Sequence, residues 1–300
     1  MAAFTLMTSL EYADANSTNS TNLTMMVDKS INTICDGTEA NTSVCDTDGL
    51  GVSLGTPIAM FTSGVVGNII ALVVLYTSRI RLKKTLFYIL LCVLAWTDLI
   101  CLLLVSPIAV IVYANNLHWV GGEPLCLYHG FFMTMTSIVT PLLVCCLSVE
   151  RVLAITFPYF HERVLTKNKI YVTVTLCFTF VILFCCLPFI GFGSYAHQFP
   201  GSWCFLNFHR ETPLDTAFAY CFSIINVLSI STMIIMNAVV MVTLIQMRRR
   251  KLNNSPSLER RGGIKVKTKM RIEEETKMMW FLGTITLVFT TCWFPLTVSC

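Results

Sequence analysis

Between Cys126 and Pro158 the chain reads CLYHGFFMTMTSIVTPLLVCCLSVERVLAITFP, a long apolar run with a cysteine at one end and a Glu150–Arg151 pair at the other. At about 1.5 Å of rise per helical residue, such a run crosses a hydrocarbon core of about 30 Å. The cysteine and the acid–base pair then lie on opposite sides of a membrane. Further runs of spanning length cover residues 57–76, 86–113, 170–192, 214–247 and 278–300. With 126–155 they make six expected helices inside a membrane unit at 55–300. The composition agrees: 55% of residues are hydrophobic and 13% charged, against about 25% charged in soluble domains. The expected class is an all-α membrane protein.

Basic residues orient the spans. Of the 21 Lys and Arg, all but Lys29 and Arg210 fall on one side, in the loops after the first, third and fifth runs and at Arg151. The positive-inside rule makes that side cytoplasmic, with a basic third loop at 248–277 that suits anionic lipid. Residues 1–54 are then an extracellular tail. It carries seven acids against Lys29, and four Asn-x-Ser/Thr sites at Asn16, Asn19, Asn22 and Asn41. Four sites in one short tail point to glycosylation. Ten of the 14 cysteines fall in apolar runs, where they act as small apolar groups. Cys35 and Cys45 could close a small loop in the tail.

Polar residues inside the runs are the candidates for function. Asp98 lies mid-helix in LAWTDL, where a carboxylate needs partners. Asn68 and Thr140 are plausible neighbours, with a sodium ion and waters; the alternative is a protonated acid that only glues helices together. Glu150–Arg151 reads either as one more inside arginine with a local ion pair, or as a latch held across the bundle by an acid such as Glu275. Cys126 and Cys204 both fall outside, either bridged, roofing a pocket between the helices, or as free thiols. Pro107, Pro188 and Pro295 each interrupt a run. In Cys292-Trp293-Phe294-Pro295, Trp293 is either core packing or a rotor beneath a ligand pocket.

No nucleotide loop, HExxH or nucleophile elbow is present, so no catalytic residues, cofactor or enzyme activity are expected. His118, His129, His161, His197 and His209 lack metal-ligand spacing and read as solvated loop residues. Membrane context sets nucleic acid aside as a partner. A transporter would need broken helices, repeats or several buried charges, which are not seen.

Together these residues resemble the rhodopsin-like G-protein-coupled receptors: Gly67–Asn68, LAxxD ending at Asp98, Cys126 before Glu150–Arg151, and Cys-Trp-Phe-Pro to Pro295. The fold implied is a seven-helix receptor bundle, of which six helices are present. Within that family the chain is similar to the prostanoid receptors, those for prostaglandin E of subtype four among them. PGSWCF at 200–205, LLLVSP at 102–107, GGEPLC before Cys126 and SVERVLAITFPYF carry this likeness. Ala109, where subtype four has Thr, and Trp293 depart from it. The resemblance implies an E-series prostaglandin bound under the second outer loop by Tyr113, Ser202 and Trp203. It also implies a heterotrimeric G protein, the stimulatory one that raises cyclic AMP, and a place in the plasma membrane. The family's carboxylate-binding arginine belongs to helix seven, so the sequence is read as a portion of a receptor. The alternatives are a truncated, non-signalling partner that dimerises with a full receptor, and a receptor for another lipid.

Overall fold

The computed structural model describes residues 54–77, 86–198, 201–208 and 212–253, with the isolated positions 284 and 287. Five of its helices are long and apolar enough to span a membrane. We label them α1 (Gly55–Thr77), α2 (Leu86–Ala114), α3 (Gly122–Thr156), α5 (Lys167–Cys185) and α6 (Pro213–Asn253), with a short α4 at Pro158–Val164. A 3₁₀ turn at Leu187–Ile190 follows α5, and strands β1 (Tyr195–Gln198) and β2 (Trp203–Leu206) complete the chain order before α6. The sixth run at 278–300, with Trp293 and Pro295, lies outside the described residues, as do Glu275, Arg210 and the tail with Asn16, Asn19, Asn22 and Asn41.

α3 is the axis. It packs against α2, α5, α6, α4 and both strands, whereas α1 packs on α2. Its Val139 and Leu143 are fully buried, in one core with Leu90, Val181, Phe205, Phe218 and Phe222. The outward faces of the other spans stay apolar: Ile70, Val74, Leu176, Leu183 and Leu228 are all exposed. A face of that size would drive aggregation in water, but it matches a lipid environment.

Proline positions separate two kinds of break. Pro107 sits inside α2 and Pro141 inside α3, the second not among the prolines expected to interrupt a run. Pro188 does not kink a span. α5 has ended at Cys185, and Pro188 opens the 3₁₀ turn instead, because a ring without an N–H suits the first turn of a helix. The fourth run therefore ends earlier than its hydropathy suggests.

β1 and β2 form an antiparallel hairpin, with Tyr195 opposite Leu206 and His197 opposite Cys204. It lies across the end of α3. Gly130 makes this possible: a Cβ there would sit 2.7–2.9 Å from Tyr195 side-chain atoms. The Tyr195 hydroxyl donates to the Cys185 carbonyl at 2.9 Å, one of the carbonyls left free at the end of α5. Burial pushes the Tyr195 phenol pKa up, so it remains a donor. On the other side, Ser194 Oγ donates to Asp215 Oδ1 and Thr212 Oγ1 to Asp215 Oδ2, both at 2.7 Å. The Asp215 N–H returns a bond to Thr212 Oγ1 at 3.1 Å. Thr212 and Asp215 thus cap the start of α6 and tie it to the hairpin.

Replacing Gly130 with Ala should force the Tyr195 ring off α3 and lower stability by about 1–3 kcal/mol. A fall in the thermal midpoint of the protein in nanodiscs checks this, and Tyr195→Phe, which only strands the Cys185 carbonyl, should lower it by about 1 kcal/mol.

Candidate functional site

Two sets of polar residues stand at opposite ends of α3, joined by a third near its middle. At the hairpin end, Cys126 of α3 and Cys204 of β2 form a disulfide across 78 positions of sequence. His129 is fully buried, and its Nδ1 lies 3.2 Å from both the N and the O of Cys204. Trp119 packs edge-on against both His129 and His197, at 5.9 and 4.8 Å between ring centroids. His129 is therefore a structural core residue rather than a solvated loop histidine.

Cys126, Cys204 and His197 place their ligand atoms within 4.8 Å of one another. The two sulfurs are bonded to each other, so neither offers the thiolate that a metal takes. This cluster is a strapped hairpin, not a metal centre.

The strap decides where the sequence-derived ligand residues fall. Ser202, only 4% exposed, and Trp203 lie at the hairpin turn, and the Trp203 ring tilts against Phe205 at 5.7 Å. Phe205 in turn meets Phe222 of α6 edge-on at 5.5 Å. Tyr113 is half-buried next to the last residue of α2. The hairpin end thus offers hydroxyls and an indole above an aromatic core.

Midway along α3, Thr140 Oγ1 donates to Asp98 Oδ1 of α2 at 2.9 Å. The sequence expectation grouped Asn68 with this pair. Asn68 Nδ2 instead donates to the Gly64 carbonyl of its own helix at 2.9 Å.

At the far end, Glu150 is 2% exposed. Its Oε2 accepts from Arg151 Nε at 2.7 Å and lies 2.6 Å from a terminal guanidinium nitrogen. The Arg151 guanidinium also stacks over the Phe87 ring of α2, 3.9 Å from its centroid. The other carboxylate oxygen meets His161 Nε2 of α4 at 3.1 Å. His161 is thus not a solvated loop histidine either. Glu275, the acid expected across the bundle, lies outside the described residues.

The family model named 7 transmembrane receptor (rhodopsin family) matches residues 67–300. The chain belongs to that family. Human prostaglandin E2 receptor EP4 subtype is 37% identical over 202 residues, covering 67% of this chain and 41% of the relative. Human prostaglandin E2 receptor EP2 subtype is 32% identical over 257 residues, covering 80% of this chain and 70% of the relative. Among rhodopsin-family receptors, the chain falls with the prostanoid branch. It spans about two-fifths of the length of the EP4 relatives it matches. The crystal structure of squid rhodopsin superposes with a TM-score of 0.67 at 16% identity, covering 82% of this chain and 70% of the other. That likeness concerns the fold alone, an all-α helical bundle.

Removing the strap should free the hairpin. With 78 positions between the cysteines, the chain-entropy estimate is about 4 kcal/mol. Thermal unfolding in nanodiscs with and without a dithiol reductant checks this, with Cys126→Ala/Cys204→Ala expected to match the reduced protein.

Proposed function

We propose that the chain is the bundle of a plasma-membrane receptor for an E-series prostaglandin that activates a heterotrimeric G protein. The observation that carries this reading is the hairpin held over the bundle by Cys126–Cys204, in a chain whose relatives are prostaglandin E2 receptors. The basic-residue asymmetry puts the hairpin end outside the cell and the Glu150 end in the cytoplasm.

The chemistry of the hairpin end suits a lipid carboxylate. The Ser202 and Tyr113 hydroxyls and the Trp203 indole can hydrogen-bond its oxygen functions, while the aromatic layer of Phe205 and Phe222 buries alkyl chain. Ligand bound beneath the hairpin pulls on α3, which the disulfide joins to it. At the cytoplasmic end Glu150 holds Arg151 as a latch, and the signalling state releases it. Glu275 is the proposed partner across the bundle, Trp293 and Pro295 the proposed switch in the sixth run, and Asp98 with Thr140 the proposed polar pair that admits a sodium ion. Asn16, Asn19, Asn22 and Asn41 are the proposed glycosylation sites. The proposed transducer is the stimulatory G protein.

Saturable binding of labelled prostaglandin E2 to membranes displaying the chain, and a dose-dependent rise in cyclic AMP, are the expected outcomes. Trp203→Ala should weaken binding about tenfold, the loss of one buried aromatic contact and hydrogen bond. Arg151→Ala should keep binding and abolish the cyclic AMP rise. Absence of prostaglandin E2 binding at verified surface expression overturns the ligand assignment.

A further inference from the structure

The disulfide at the hairpin has a third neighbour. His197 stands opposite Cys204 in the hairpin register, and its Nδ1 lies 3.3 Å from Cys204 Sγ. The ligand atoms of Cys126, Cys204 and His197 all lie within 4.8 Å of one another. Two sulfurs and an imidazole nitrogen are donors that zinc takes. While the sulfurs are bonded to each other the set is closed, and reduction opens it.

The triangle has the right size. Zinc bonded tetrahedrally to thiolate at about 2.3 Å and to imidazole at about 2.0 Å has S···N edges of about 3.5 Å and S···S edges of about 3.8 Å. The Cys204–His197 edge is already close to that length, so the main change needed is for the two sulfurs to part. The frame around them does not depend on their bond. β1 stays paired with β2, and Gln198 Nε2 donates to the Leu206 carbonyl at 2.9 Å. The Tyr195 bond to the Cys185 carbonyl and the Ser194 bond to Asp215 still hold the hairpin over the bundle. Trp119, whose Nε1 donates to the Gly122 carbonyl at 3.0 Å, packs edge-on against the His197 ring and seats it. His197 is exposed while Cys126 and Cys204 are buried. An ion therefore enters from the solvent side and meets the sulfurs beneath.

We propose that Cys126, Cys204 and His197 form a zinc site in the reduced protein, the metal replacing the disulfide as the tie between α3 and the hairpin. A dithiol reductant attacks one sulfur and closes its own disulfide. Two electrons and two protons pass to Cys126 and Cys204, which are left as thiols. Zn²⁺ then takes both thiolates, releasing those protons, and the Nδ1 lone pair of a neutral His197 whose proton sits on Nε2. Water fills the fourth position. Two thiolates and Zn²⁺ sum to no net charge, which suits a buried place where a lone thiolate is costly. Zinc has no redox chemistry of its own, so the thiols stay reduced. The site needs no prostaglandin and stands apart from the ligand proposed above.

The test is cobalt(II) titration of the 300-residue chain in nanodiscs, with Cys35→Ser and Cys45→Ser in every sample so that tail thiols do not report. The protein is reduced and the reductant removed under inert gas. A thiol count in denaturant then confirms the two extra thiols of the opened disulfide. The reduced protein should gain a thiolate-to-cobalt charge-transfer band that an equimolar amount of zinc bleaches, and zinc should raise its thermal midpoint. The oxidised protein should show neither effect. His197→Phe keeps a ring against Trp119 but offers no donor, and should bind cobalt at least about a hundredfold more weakly, since loss of even an outer-shell partner costs 10–100-fold. Its thermal midpoint in the oxidised state should match the parent. Cys126→Ala/Cys204→Ala should give no band. A reduced protein without the band overturns the inference, as does an undiminished affinity in His197→Phe or a band that survives in the double cysteine variant.

Discussion

The bilayer interior supplies no hydrogen-bond partner, and α3 is where the protein meets that constraint from every side. Three of its hydroxyls turn back onto their own helix: Thr136 onto the Phe132 carbonyl, Ser137 onto Met133 and Ser148 onto Val144. Each self-satisfied hydroxyl removes a polar demand from the packing surface. What then faces the neighbours is apolar, and the core built from Val139, Leu143, Val181 and Phe222 follows from it. Thr140 is different. Its hydroxyl crosses to Asp98, so a pair that neither helix could bury alone becomes a fixed contact between α2 and α3.

The two ends of α3 are built from different materials. At the hairpin end the contacts are covalent or buried several times over: the Cys126–Cys204 bond, the Tyr195 bond to Cys185, and the Ser194–Asp215–Thr212 cap of α6. Losing one of these leaves the others in place. At the Glu150 end the contacts are ionic and few, and they converge on one carboxylate. A single carboxylate serving Arg151 and His161 at once ties the two contacts together, so disturbing one changes the other. The two ends of α3 therefore differ in how they are held: by several separate contacts at the hairpin, and by contacts that share one carboxylate at Glu150.

The comparisons and the geometry carry different parts of the account. Family membership rests on the match over residues 67–300, and the prostanoid branch on relatives at 32–37% identity. The hairpin end and the Glu150 contacts rest on distances. The squid rhodopsin likeness adds only that this helix arrangement is one already seen in a solved structure.

Much of this was legible in the sequence. Five of the six expected apolar runs coincide with helices long enough to span, because hydrocarbon thickness leaves little choice of length; the sixth lies outside the described residues. Asp98 and Thr140 were paired in advance, since a buried carboxylate must find a donor and few stand at the right depth. The limits of that reading are physical too. Asn68 could not be assigned by depth alone: its amide reaches its own Gly64 carbonyl more easily than a neighbouring helix. Pro188 read as a kink because hydropathy continues past Cys185, although the helix does not. His129 and His161 read as solvated because a histidine's sequence context says nothing of what packs on it. Sequence by itself determined that this chain spans a membrane as helices, since composition and run length are local properties. Only the tertiary structure decided that His129 meets Cys204 and His161 meets Glu150, since those contacts join residues 75 and 11 positions apart through the packing of other elements.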